Sequence, residues 1–198
     1  MIDKALKHVV GELNDYFYAV MPPLAPASTN RERVIAGSLF DLDGKVNTKA
    51  KDKVVAQIVN LQEDRVYHSV DVYKRRDDGT GELMRPEIKV NVFVLFVANI
   101  SDYSESMKML SWVIAFFQHR HRFDYSAVTG LADRTGHFTF ELHSMTFEQQ
   151  NHLWGALGAK YMPSVMFKLG IVDIRDEQLR AEVPPVLDIA ANQPPQGA

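Results

Sequence analysis

The sequence predicts an α+β fold: a single domain in which a mostly antiparallel sheet packs with three main helices. Three observations carry this. The stretch Ile88–His119, IKVNVFVLFVANISDYSESMKMLSWVIAFFQH, starts as a strand apolar on both faces and ends as an amphipathic helix. Hairpin-type turn signals, Asp43-Gly44 and above all Asp78-Gly79, outnumber crossover helices. The length of 198 residues and the hydrophobic fraction of 46% suit one core.

Ile2–Met21 reads as the first helix. Ile2, Leu6, Val9, Leu13, Phe17 and Val20 form a stripe, broadened by Ala5, Val10 and Tyr16. Gly11 inside it suggests a close approach by a neighbour. Pro22, Pro23 and Pro26 end the helix. A short strand is expected within Arg33–Phe40, with Val34 or Ile35, Gly37 and Leu39 at sheet spacing. The polar run Leu42–Lys53 reads as a mobile surface loop. Val54–Gln62 and Val66–Tyr73 are strands, and Asp78-Gly79 turns a hairpin.

The central strand places Ile88, Val90, Val92, Val94 and Phe96 on one face and Phe93, Leu95 and Val97 on the other. Such a strand lies inside a sheet covered on both sides, or at an interface. The following helix recurs at Tyr103, Met107, Leu110, Ile114 and Phe117, with Trp112, Val113 and Phe116 widening the face. Ser101 or Asp102 is its N-cap, and Glu105 is placed to close a capping box.

His137–Met145 is a strand with Phe138, Phe140 and Leu142 on one side. Thr146 caps a short helix, Phe147–Gly158, that carries Leu153, Trp154 and Leu157. Pro163 opens the last strand, with Val165, Phe167, Leu169 and Ile171 on one face. The domain is expected to span residues 1–180, and residues 181–198 to form a proline-rich arm.

The bulk chemistry is mild. Net charge is −3, from 22 basic and 25 acidic side chains, against the basic excess of a general nucleic-acid binder. With no cysteine, disulfides and thiolate metal sites are excluded. The opening MIDKALKHVV lacks a signal-peptide pattern, and no apolar run approaches the roughly 20 residues that cross a bilayer.

Several residues are of types that carry chemistry. His119 and His121, with Asp124 nearby, share a face only on extended chain, so a basic patch of Arg120 and Arg122 suited to an acidic partner reads better than a metal site. His137, Glu141 and His143 share one strand face, far in sequence from His152, and no HExxH motif is present. Glu148 and His152 sit four apart on a helix but have no nucleophile beside them. Ser164 lacks the glycines of a nucleophile elbow. Asp102 with Glu105, and Asp71 with Asp77, read as cap and turn residues. Lys45, Lys49, Lys51 and Lys53, with Arg75 and Arg76, lack the interleaved aromatics of a nucleic-acid groove. No catalytic, cofactor or metal residue is assigned, and the chain is not expected to be an enzyme.

The stretches IDKALKHVVGELNDYF, VVAQIVNLQEDR, KVNVFVLFVANISDYSESMKMLSWVIAFFQ, FELHSMTFEQQNHLWGALGAKYMPSVMFKLGIVDI and VPPV carry a resemblance spanning about Met1–Val186. Together they resemble the tail-terminator, or cap, proteins of extracellular contractile injection systems of the antifeeding-prophage and virulence-cassette type. Its fairly specific parts are the strand, tyrosine-containing turn and LSxVIxFFQ helix of the third stretch and the run HLWxxLGxKYxPSxxF from His152 to Phe167. Within it Leu153, Trp154, Leu157, Tyr161 and Pro163 read as fold determinants. The proline-rich end after Val186 and the turn His119–Arg122 have no counterpart.

The resemblance implies a contractile-tail terminator-like fold and a structural cap. Such a cap forms a ring, a hexamer, on the last rings of inner tube and sheath and stops polymerisation. It implies cytoplasmic assembly into a phage-tail-like particle, partners limited to itself and the tube and sheath proteins, and no nucleic acid, membrane or cofactor. Two other readings are a baseplate or tube-initiation adaptor and a small metal-dependent hydrolase using His137, His143 or Glu148.

Overall fold

A computed structural model describes residues 1–21, 32–41, 43–64, 72–75, 81–84, 88–174 and 181–183, giving backbone alone for 72–75, 81–84, 88, 171–174 and 181–183. Three helices, α1 (Ile2–Val20), α2 (Tyr103–His119) and α3 (Phe147–Ala156), accompany nine strands in these residues. The strands are β1 (Val34–Ala36), β2 (Lys53–Glu63), β3 (Val72–Arg75), β4 (Gly81–Met84), β5 (Ile88–Asn99), β6 (Arg122–Asp124), β7 (His137–His143), β8 (Ser164–Ile174) and β9 (Ala181–Val183). Six form one sheet in the order β1-β2-β5-β8-β7-β6, antiparallel except for the parallel pair β1–β2. The fold is α+β, as the sequence predicts.

Strand β5 is the middle of this sheet for the expected reason. It pairs along its length with β2 and β8, and Val92, Val94, Phe96, Leu95 and Val97 are all fully buried. Val92, Val94 and Phe96 face a core shared with α1 and α2, and Leu95 and Val97 face a second core under α3. Phe117 of α2 anchors the larger core. Its ring lies 5.4 Å from Phe96, 4.7 Å from Phe140 and 4.4 Å from Phe167. Trp154 anchors the smaller core, with Tyr161 edge-on at 5.8 Å and Leu153 and Leu157 beside it. Pro163 opens β8 by accepting the Ala98 amide at 3.0 Å. The HLWxxLG…P run therefore does act through packing.

Helix α1 buries Ala5, Leu6, Val9, Val10, Leu13 and Phe17, close to the expected stripe. Gly11 is not a close approach, since a Cβ there would meet nothing within 4 Å. In α2 the stripe is rotated from expectation. Ser106, Met109, Leu110, Val113, Phe116 and Phe117 are buried, while Tyr103 and Ile114 are exposed. The cause is α1, which packs along one flank through Tyr16 against Trp112 and Phe116 and leaves the other flank uncovered. Asp102 is the N-cap and accepts from the Ser104 and Glu105 amides. Glu105 closes no capping box; its carboxylate pairs with Lys108 at 2.8 Å. In α3 Thr146 and Gln149 form a reciprocal capping box, and Gly158, at φ +65°, follows the helix in the left-handed region.

Of the run expected to be a mobile surface loop, the described residues 43–53 form a connection with defined backbone hydrogen bonds. Leu39 and Ala50 are fully buried, Phe40 and Val46 form a bridge, and Asn47 caps a single turn, Thr48–Ala50. Its turn carries Asp43, whose carboxyl is held below the usual range by hydrogen bonds from the Lys45 side chain and backbone. The β3–β4 pairing, from Val72↔Met84 to Arg75↔Gly81, is the hairpin expected around Gly79. Its turn residues, most of the strand expected at Val66–Tyr73, and Ile171 as a side chain lie outside what is described. In the expected arm, Ala181–Val183 pairs with β4 of the same chain to complete a three-stranded sheet.

Candidate assembly surface

Among the described residues the chemistry-bearing side chains do not converge on one point. Among the described residues no three of His, Asp or Glu are grouped to hold a metal ion. The basic turn after α2 is tied inward: the Arg120 guanidinium bonds the Glu12 carboxylate of α1 and lies 5.2 Å over the Phe123 ring. His8 adds Nε2 at 3.2 Å from the same carboxylate. Arg122 sits 3.6 Å from Asp124, and His119 and His121 are exposed. The patch expected to meet an acidic partner is thus largely occupied by the chain's own acids.

Strand β7 does place His137, Glu141 and His143 on one face, as alternation requires. There Glu141 pairs with Lys168 of β8 at 3.1 Å, and the His143 ring packs edge-on to Phe93 at 5.0 Å. His152 and Glu148 are exposed on α3 and make no ion pair with each other. Ser164 has a buried Oγ with no hydrogen-bonding base. In the basic loop Lys45 pairs with Asp43 and Lys53 with Glu32, leaving Lys49 and Lys51 exposed. Asp71, Asp77 and Arg76, and the side chain of Arg75, lie outside what is described.

What the fold does present is surface, above all the two ends of its sheet. Strand β1 covers β2 only along Val54–Ala56, and β6 covers β7 only along His137–Thr139. Beyond them, Ile58–Gln62 and Glu141–His143 have no further strand outside them among the described residues. Asn14 of α1 seals part of the first edge. Its Nδ2 donates to the carbonyls of Val10 and Val34, and its Oδ1 accepts the amides of Arg33 and Val34. One side-chain amide thereby substitutes for a neighbouring strand.

One cross-strand row, Ile58–Val94–Phe167–Leu142, runs across four strands. Its middle is buried, whereas Ile58 is 36% and Leu142 56% exposed. Leu142 shares the face of Phe138 and Phe140, as expected, but stands beyond the buried part of β7. Leu61 is exposed too, as are Phe147 and Tyr161 around α3. Sequence patterning missed Asn14 and these edge residues. The signal for Asn14 was a lone amide flanking an apolar stripe, between Val10 and Phe17.

The model of the Pvc16 N-terminal domain family matches residues 7–188. The chain belongs to this family. A comparison with curated proteins gave no match. Among solved structures, this Pvc16 N-terminal domain is similar to the sheath/tube terminator of an extracellular contractile injection system in its extended state. That match has a TM-score of 0.59 and 15% identity over 100% of this chain and 65% of the other. It is also similar to the tube-terminating cap of the anti-feeding prophage, with a TM-score of 0.51 and 14% identity over 82% of this chain and 57% of the other. At these identities the likeness is one of fold, and the chain spans under two thirds of either relative's length. No helix among the described residues is long and apolar enough to cross a membrane.

Proposed function

We propose that this Pvc16 N-terminal domain is a structural cap that ends the growth of tube and sheath in a contractile injection particle. It works as a ring, a hexamer, seated on the last tube and sheath rings. The observation that carries the reading is the likeness of the whole chain to a sheath/tube terminator.

The mechanism is occupation. A tube grows because each ring offers the next one an identical surface. A ring of different chains bound at that end removes the surface, and its own outer face offers no replacement. Closed rotational symmetry requires a heterologous contact, made by two unlike patches on each copy. The differently built ends of the six-stranded sheet supply unlike patches.

Deleting the gene in a strain that assembles such particles tests the reading. The expected result is particles of widely scattered length with unclosed ends, restored to uniform length by the intact gene. Particles of uniform length with closed ends in the deletion strain would overturn it.

A further inference from the structure

Resting on the ring reading, we infer that copies join sheet edge to sheet edge, with the end of β7 of one copy along the open part of β2 of the next. Three independent features of the sheet meet in this pairing.

The first is backbone direction. The Phe140 amide donates to the His121 carbonyl, so the even residues of β7 point their amide and carbonyl outward, Leu142 included. On the other edge the Val54 amide reaches the Arg33 carbonyl, and the Ala56 carbonyl accepts the Gly37 amide, so Ile58 continues an outward-pointing series. The bulge between Ile58 and Asn60 shifts the alternation by one, which brings Leu61 outward as well.

The second is side-chain face. Ile58, Leu61 and Leu142 all stand on the face covered by α1 and α2, because their cross-strand partners Val94, Val92 and Phe167 belong to that core. The apolar rows are buried in the middle and break off exposed at both edges. Sheet edges are ordinarily blunted with lysine, proline or inward charge. Here the segment Ile58–Gln62, IVNLQ, has none of these.

The third is polarity. Strands β2, β5, β8 and β7 alternate in direction, so β7 runs antiparallel to β2. Copies related by rotation about a ring axis keep that relation, and β7 of one therefore meets β2 of the next in antiparallel sense. The hand of the stagger also follows. Strand β1 blocks β2 before Ile58, and β6 with the His121 carbonyl blocks β7 up to Phe140, so the free segments overlap fully only when neighbouring sheets slide along their strands. That slide sets Leu142 opposite Leu61, with Ile58 adjacent.

The absence of native cysteine makes the test direct. Full-length chain carrying Leu142→Cys with Leu61→Cys, or Leu142→Cys with Ile58→Cys, is oxidised alone and on tube ends, and rings are scored by light scattering and microscopy. The expected result is a disulfide ladder of multimers, stronger for the Leu61 pair, with none from the single variants. Because all three side chains are exposed, a second arm uses charge: Leu142→Lys and Leu61→Glu each lower ring yield at least tenfold, and the double variant recovers it. Rings that form normally without cross-links, or that ignore both charges, would overturn the edge pairing alone. Absence of rings in every condition, wild type included, would overturn the ring reading and this inference with it.

Discussion

Replacing Phe117 with alanine should lower the free energy of unfolding by about 3–5 kcal/mol, the usual range for deleting a buried aromatic ring. The ring is 3% exposed and touches Phe96, Phe116, Phe140 and Phe167, so its loss opens a cavity between α2 and three strands. A domain whose whole stability is about 5–15 kcal/mol loses a large share of it. Urea titration followed by circular dichroism measures the change. The control is Ile114→Ala on the same helix, which should shift stability by less than about 1 kcal/mol because Ile114 stands on the uncovered flank. Equal effects would mean that α2 is rotated from the packing described above.

Asn14→Ala has the second large effect. It strands the amide and carbonyl of Val34, the amide of Arg33 and the spare bond to Val10. At about 1–3 kcal/mol for a buried polar group left unpaired, and with water reaching part of this half-buried site, the expected loss is roughly 2–4 kcal/mol. Hydrogen exchange gives the sharper signature: the Val34 amide should lose protection in the variant while the Val94 amide loses only what the global change dictates. Asn14→Asp keeps the acceptor for Arg33 and Val34 but sets a carboxylate oxygen against the Val34 carbonyl, so it should rescue little. An unchanged Val34 amide would show that β1 is held by its pairing with β2 alone.

The contrast between Phe117 and Ile114 also shows where reading the sequence stopped short. Both lie on the periodic stripe, and α2 has apolar residues around much of its circumference, so period alone does not say which flank α1 will take. Strand β5 was legible because burial on both faces leaves no such choice. Strand β1 lies within the short strand expected over Arg33–Phe40, whereas β6, three residues long, is too short for alternation to register. The polar run after Leu42 looked mobile because its order comes from two small buried anchors, Leu39 and Ala50, and from backbone bonds. The β3–β4 pairing was legible because a hairpin signal is local in sequence.

The candidate surface was the least legible part. A histidine or carboxylate can be judged from its own sequence neighbours. An open sheet edge cannot be read in that way. Whether Leu142 is core or surface depends on where α2 ends above it, and whether Ile58 is edge or interior depends on the short reach of β1. Both are set by contacts distant in sequence, and in both cases local alternation gives the face correctly but not its cover.

The most direct measurement is a side-chain-resolution map of an assembled particle that contains this chain. The account predicts density for its six-stranded sheet in a closed ring on the tube and sheath end away from the spike. Density for the chain at the spike end, or a tube end closed without it, would contradict the account.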